Sequence, residues 1–219
     1  MQVKSVLCRQ INDDIGSVEL VEIDLPSPGP GEIRVRLKAC AVNFPDLLMI
    51  QGKYQFHPPL PFAPGTEASG EVESVGTGIS EYAEGDSVIV SMRFGGFSEA
   101  IIVSENEIRK MPENMTYAQA ASYQTAYLTA YVALFRRGGL QSGETLLVHG
   151  ATGGVGMAAV DLGQYFGARV FATGGSDKKL EVVKSRGAIE TINYTLADGS
   201  LGGFKEKVKS LTQGKGADV

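Results

Sequence analysis

From the first residue to about residue 115, apolar and polar positions alternate in short runs. In "EIRVRLKAC" (Glu32 to Cys40), Ile33, Val35 and Leu37 alternate with charged neighbours, and "QVKSVLCRQ", "SGEVESVG" and "DSVIVSM" behave alike. A period of two sends successive side chains to opposite faces of a strand, so each run predicts a β-strand with one buried face. Gly and Pro clusters such as "PSPGPGE" (Pro26 to Glu32) separate the runs closely and read as turns. The first half is expected to be an antiparallel β domain forming a partly open barrel.

The period changes in "TYAQAASYQTAYLTAYVALFRRGG" (Thr116 to Gly139), where apolar residues recur three and four apart and Gly138 and Gly139 act as stop signals. Strands and helices alternate from there. "TLLVHG" is a continuous apolar run, as a strand buried on both faces requires, and "MAAVDLGQYFG" is a helix closed by Gly167. "ARVFATGG" and "IETINY" are further strands, and "DKKLEVVKSRG" is a helix ending at Gly187. In "GGFKEKVKSLTQG", Phe204, Val208 and Leu211 share one helical face. This βαβαβα order predicts a parallel sheet, so the fold class is α/β plus β, with domains over 1–117 and 118–219.

"GKGADV" at the end reads as a turn and the first residues of a fourth strand. A doubly wound sheet of six strands needs roughly three more strand-helix units. The chain is therefore expected to stop within its second domain, as a fragment inactive by itself.

Bulk properties narrow the partners. A net charge of −5 without any Lys/Arg block argues against nucleic acid or an anionic membrane, leaving a small-molecule ligand. Cys8 and Cys40 are too few for a disulfide framework and lack the paired spacing of a zinc module, which suits a reducing compartment. No run of 18 apolar residues and no signal-peptide core occurs, so the cytoplasm is the expected location.

One stretch carries clear chemistry. The strand "TLLVHG" runs into "ATGGVG" and then a helix, the context in which a glycine-rich turn cradles a pyrophosphate at a helix N-terminus. Ala151, Thr152, Gly153, Gly154, Val155 and Gly156 form the cradle, with Ala151 where the first glycine of the usual pattern would sit. The second strand ends "ATGGSDKK", and Gly174 and Gly175 stand where a carboxylate would bind the ribose 2′-hydroxyl of NAD. Asp177 comes about three residues late and reads as the first turn of the next helix. Ser176 and Lys179 suit a 2′-phosphate, one as hydrogen-bond donor and the other as cation, which favours NADPH over NADH. Lys179 as a solvated helix residue remains open.

Taken with "AVNFPD", "PGTEASGEV", "GD" at Gly85 and Asp86, and "LTAY", the whole chain resembles the medium-chain dehydrogenase/reductase superfamily, and within it the zeta-crystallin-like quinone oxidoreductases. The resemblance implies a GroES-like catalytic domain in front of a Rossmann-type cofactor domain. It implies an acceptor site formed by Asn43, Asp46, Tyr54 and Thr129, and a place for Tyr194 beside the adenosine 2′-phosphate. Structural readings stay open: capping for Asp46, loop packing for Tyr54, backbone bonding for Thr129 and packing for Tyr194. Homodimerisation is open only to a full-length parent.

Zinc-dependent alcohol dehydrogenases of this superfamily hold their catalytic metal at positions that here carry Asn43, Thr66 and, less securely aligned, Thr125, none of them a practical Zn²⁺ ligand. Cys40 lies three residues early, and His57 and His149 lie in a Pro-rich loop and at a strand end. Without a metal the several kcal/mol of Lewis-acid help to a carbonyl is absent. A quinone or α,β-unsaturated ketone needs less, because charge delocalises to an oxygen that hydrogen-bond donors can hold. The expected activity is hydride transfer from NADPH to such an acceptor without metal, and the alternative is a non-enzymatic, crystallin-like NADPH-binding protein. Tyr54 as proton donor is poorly matched at neutral pH, since a phenol titrates near 10. Glu67, with no zinc to support, is expected to hold the turn beneath the site.

Overall fold

The alternating runs of the first half form strands, with β1 over Gln2–Cys8, β2 over Val18–Asp24, β3 over Glu32–Cys40, β4 over Glu67–Val75, β5 over Ser87–Ser91, β6 over Ala100–Ser104 and β7 over Ile108–Lys110. A short helix, α1 (Phe44–Ile50), lies between β3 and β4. The computed structural model describes residues 1–196 and 199–219. Its contacts divide the chain into Met1–Tyr123 and Gln124–Val219. A helix over Tyr117–Ser122, α2, belongs to the first unit: the Ser69 hydroxyl on β4 donates to the Tyr117 carbonyl at 2.6 Å.

Among the described residues the first unit holds an antiparallel sheet in the order β6-β3-β4-β5-β7 and a separate β1-β2 hairpin; no closed barrel forms. β1 is fastened to the segment before β6, with the Val6 N–H donating to the Phe97 carbonyl and the Glu99 N–H to the Lys4 carbonyl. The alternation works as the sequence implies. Ile33 and Val35 are fully buried with Val72, Val88 and Val90 in one core, while Arg34 and Arg36 on the opposite face of β3 both pair with Glu73 on β4. Each such Val or Ile contributes about 1.5–3 kcal/mol by leaving water.

Gly70 lets β4 lie close to β3. A Cβ there would sit 2.2 Å from the Arg36 carbonyl oxygen, beside the register shift between Leu37 and Ala39.

In the second unit α3 (Gln124–Tyr131) continues as a π-helical turn, Val132–Arg137. The stretch that reads as one helical pattern is broken at Tyr123, after α2. The physical reason is local: Thr116 and Gln119 form a capping box that starts α2, and Ser122 donates back to the Ala118 carbonyl in its last turn. There follow β8 (Thr145–Val148), α4 (Gly154–Tyr165), β9 (Arg169–Gly174), α5 (Asp177–Ser185), β10 (Glu190–Asn193) and α6 (Phe204–Leu211). The sheet is parallel in the order β10-β9-β8. Helix α6 lays Phe204, Val208 and Leu211 on Phe171 and Ile192, the face its spacing predicts.

Val219 extends the sheet past β8: its N–H reaches the Thr145 carbonyl and its carbonyl accepts the Leu147 N–H at 2.9 Å, the slanted pattern of a parallel ladder. Among the described residues, no helix is long and apolar enough to cross a membrane.

Gly70→Ala is expected to destabilise the first unit by about 1–3 kcal/mol, since a backbone carbonyl cannot step aside as a side chain would. The check is a fall in urea midpoint at unchanged m-value.

Candidate functional site

The first unit's candidate site lies where the N-terminus of α1 meets the start of β4. Asn43 is the N-cap of α1, in extended conformation, followed by Phe44 and Pro45 in the first turn. Asp46, at the third helical position, reaches back so that its Oδ2 accepts the Asn43 N–H at 2.7 Å. Its other oxygen, Oδ1, accepts the Gly65 N–H at 3.0 Å. Gly65 has φ +99°, and a Cβ there would meet Gly96 and Phe97 at 2.8 Å, so only glycine fits this turn.

Two residues on, Glu67 takes the Asn43 side chain: Nδ2–H donates to Oε1 at 2.9 Å. Asp46 and Glu67 are 1% and 2% exposed. Burial pushes the Asp46 carboxyl above the usual aspartate range and the nearby Glu67 charge adds to that, against the pull of the two N–H bonds. The Cys40 thiol donates to the Glu67 carbonyl at 3.1 Å. Burial, with the Asp46 and Glu67 charges, pushes that thiol up to about 12. It is a protonated group at neutral pH.

Of the residues expected to form the acceptor site, the structure brings Asn43 and Asp46 into direct contact. Asp46 makes the capping bond weighed for it, and a second bond to Gly65 that no sequence signal announces. Tyr54 packs half-buried on the cluster of Cys8, Met49, Ile50 and Phe62. Thr66, between the two fastened residues, is half-buried, and its carbonyl accepts the Met92 N–H. Thr129 belongs to the second unit, exposed on α3. His57 is exposed, and His149 contacts the Thr173 hydroxyl through Nδ1 and the Phe204 ring through its edge. Among the described residues no three His, Cys, Asp or Glu side chains are arranged to hold a metal ion.

The second unit's candidate site is the turn from β8 into α4. Gly150, at φ +63°, starts it, and the Gly153 N–H closes it on the Gly150 carbonyl at 3.0 Å. Gly153 caps α4 without a side chain, so the N–H groups of Gly154, Val155 and Gly156 have no intrahelical partner and carry the positive end of the helix dipole. Gly156 is required by packing: a Cβ would lie 2.4 Å from the Gly150 carbonyl. At Gly154 a Cβ would meet nothing within 4 Å, so the missing side chain leaves open the approach to those N–H groups. Ala151 is fully buried, with its N–H on the Thr173 carbonyl. The half-buried Thr152 and the buried Leu180 crowd the space a Cβ at Gly174 would take, each at 3.0 Å.

At the ends of β9 and β10, the Tyr194 ring lies beside the exposed Gly175, where a Cβ would stand 3.2 Å from Cε2. Ser176 caps α5 without using its side chain, and Lys179 is exposed in the first turn of that helix. Asp177 opens α5 and accepts the Asn193 amide at 2.9 Å. Asn193 and Thr195, whose hydroxyl reaches the Gly175 carbonyl, complete this corner; neither is signalled by the sequence.

Comparison with known proteins matches both halves. Residues 29–113 match the family described as the alcohol dehydrogenase GroES-like domain, and residues 154–219 match the zinc-binding dehydrogenase family. The chain is 38% identical over 220 residues to quinone oxidoreductase-like protein 2 homolog of Nematostella vectensis, covering 99% of this chain and 58% of that protein. It is 41% identical over 195 residues to the synaptic vesicle membrane protein VAT-1 homolog of Homo sapiens, covering 89% of this chain and 48% of that one. It therefore spans about half the length of these curated relatives. A probable oxidoreductase from Mycobacterium abscessus superimposes with TM-score 0.89 at 34% identity, over 99% of this chain and 68% of that structure. Escherichia coli quinone oxidoreductase complexed with NADPH does so with TM-score 0.87 at 29% identity, over 97% and 63%.

Because burial raises the Asp46 carboxyl, its protonated form contributes stability that is present below the ordinary aspartate pKa of about 3.9 and is lost as pH rises through the raised value. In Asp46→Asn that slope is expected to vanish. Urea midpoints measured across this pH window check it; equal slopes in both proteins would count against the assignment.

Proposed function

We propose that this chain, which belongs to the quinone oxidoreductase-like members of the medium-chain dehydrogenase/reductase superfamily, is part of an oxidoreductase that passes hydride from NADPH to a quinone or α,β-unsaturated carbonyl without catalytic zinc. The observation that carries the reading is the Asn43–Glu67 hydrogen bond at the place where zinc-dependent relatives hold their metal. It leaves a neutral amide there, suited to holding a carbonyl oxygen.

Zinc does not fit these residues. Asn43 and Thr66 are not practical ligands, and Cys40 keeps its proton on the Glu67 carbonyl. A nicotinamide dinucleotide does fit: the N–H groups of Gly154, Val155 and Gly156, which have no intrahelical acceptor, suit a pyrophosphate, and the space left by Gly154 lets it approach. Gly175, where the NAD-binding carboxylate would stand, the uncapping Ser176 hydroxyl, Lys179 and Tyr194 together favour a 2′-phosphate over a bare ribose.

When bound, NADPH supplies the hydride from C4 of its nicotinamide. Asn43 in the first unit, and Thr129 in its own unit, are each of a type that would donate a hydrogen bond to the acceptor or the nicotinamide, the acceptor oxygen being where charge develops. Tyr54, packed on the cluster that includes Met49 and Ile50, would wall the site, and Asp46 keeps the Asn43 backbone in place. The free thiols Cys8 and Cys40 accord with action in the cytoplasm.

Two measurements test this on the complete gene product. Loss of NADPH absorbance is expected to accelerate with at least one member of a panel of quinones and enones. Tight NADPH binding without turnover of any acceptor would leave a binding protein and overturn the reductase reading. Lys179→Ala is expected to weaken NADPH binding about tenfold and to leave NADH binding within about twofold, as loss of one charge-assisted contact requires. Equal effects on both cofactors would place the 2′-phosphate elsewhere.

A further inference from the structure

Asn43 and Glu67 lie 24 residues apart, yet three hydrogen bonds make them parts of one closed ring. From the Asn43 backbone the ring passes to Asp46 Oδ2, from Asp46 Oδ1 to the Gly65 N–H, along the chain through Thr66 to Glu67, and from Glu67 Oε1 back to the Asn43 amide. The backbone of Asn43 is thus held by one buried carboxylate and its side chain by another. Asp46 would fix the helix end without Glu67, so the second bond does something the first does not.

An asparagine amide can turn over by half a rotation, which exchanges its donor and acceptor ends at almost no steric cost. Glu67 Oε1 accepts from the amide, and turning the amide over would set its oxygen against that carboxyl oxygen, so Glu67 favours the orientation with Nδ2 toward itself. The two ends of the amide are then held in a single arrangement. Glu67 is 2% exposed while Asn43 is half-buried, so the locking group is shielded and the locked group is reachable.

We propose that Glu67 is a positioning residue for hydride transfer: it locks the Asn43 amide in one orientation, so that the same N–H always faces the reacting molecule. This rests on the reductase reading above. An amide free to flip would present its oxygen to the acceptor oxygen in part of the population, a repulsive contact in the transition state.

The test is a double-mutant cycle on the complete gene product, with Glu67→Gln, Asn43→Ala and the pair, read as kcat and KM with a quinone acceptor. Glu67→Gln, nearly isosteric but able to donate as well as accept, is expected to lower kcat by about 10- to 100-fold with KM for NADPH within about threefold. In the Asn43→Ala background the same change is expected to cost less than about twofold, since the effect on hydride transfer runs through the Asn43 amide. Equal losses in both backgrounds would show a general structural effect and overturn the proposal, as would an unchanged kcat in Glu67→Gln. If Glu67→Gln fails to fold, Glu67→Asp, too short to reach the amide, serves in the same cycle with the same expectations. A wild-type protein that binds NADPH but reduces no acceptor overturns the reductase reading itself; turnover with additive losses overturns only the role of Glu67.

Discussion

Two carboxylates, Asp46 and Glu67, distant in the chain but both buried and both bonded to Asn43, set the geometry of the first unit's candidate site. Removing Asp46 and Glu67 from water costs several kcal/mol unless hydrogen bonds replace the lost hydration. The partners they take lie on different segments: the Asn43 and Gly65 N–H groups for Asp46, and the Asn43 amide for Glu67. Satisfying the charges therefore joins the end of α1 to the start of β4. The site geometry follows from that join, as does the demand for glycine at Gly65, where no side chain has room.

The second unit meets the opposite requirement. There α4 begins with glycines that bring no capping side chain, so its first N–H groups lack an intrahelical acceptor, and a Cβ at Gly154 would meet nothing within 4 Å. One unit uses buried carboxyl groups to occupy its N–H groups; the other starts a helix whose first N–H groups carry the positive end of its dipole. Packing enforces the arrangement, since Gly156 lies against the Gly150 carbonyl and Ala151 is pinned to Thr173.

Legibility in the sequence follows the range of the forces involved. β3 and α6 were readable because their burial repeats with the period of a strand or a helix, and the backbone alone converts spacing into faces. The break after Ser122 was less visible, because apolar spacing continues across it while a capping box and a serine back-bond end the helix locally. Glu67 read as a support for the turn beneath the site; its bond to the Asn43 amide and the Asp46–Gly65 bond were hidden, since they join residues 24 and 19 positions apart and leave no periodic trace. Asn193 and Thr195 were hidden for the same reason.

By itself the sequence determined the two kinds of sheet, the glycine turn before α4 and the residue types at the positions where zinc-dependent relatives bind their metal. These depend on period, on backbone freedom and on side-chain chemistry, all properties of short stretches. The tertiary structure alone decided which groups meet. It closed the ring of Asn43, Asp46, Gly65 and Glu67, set Tyr194 beside Gly175, and kept the Cys40 thiol protonated beside two carboxylates. The physical reason is that hydrogen bonds and desolvation act over a few ångströms in space, whatever the separation along the chain.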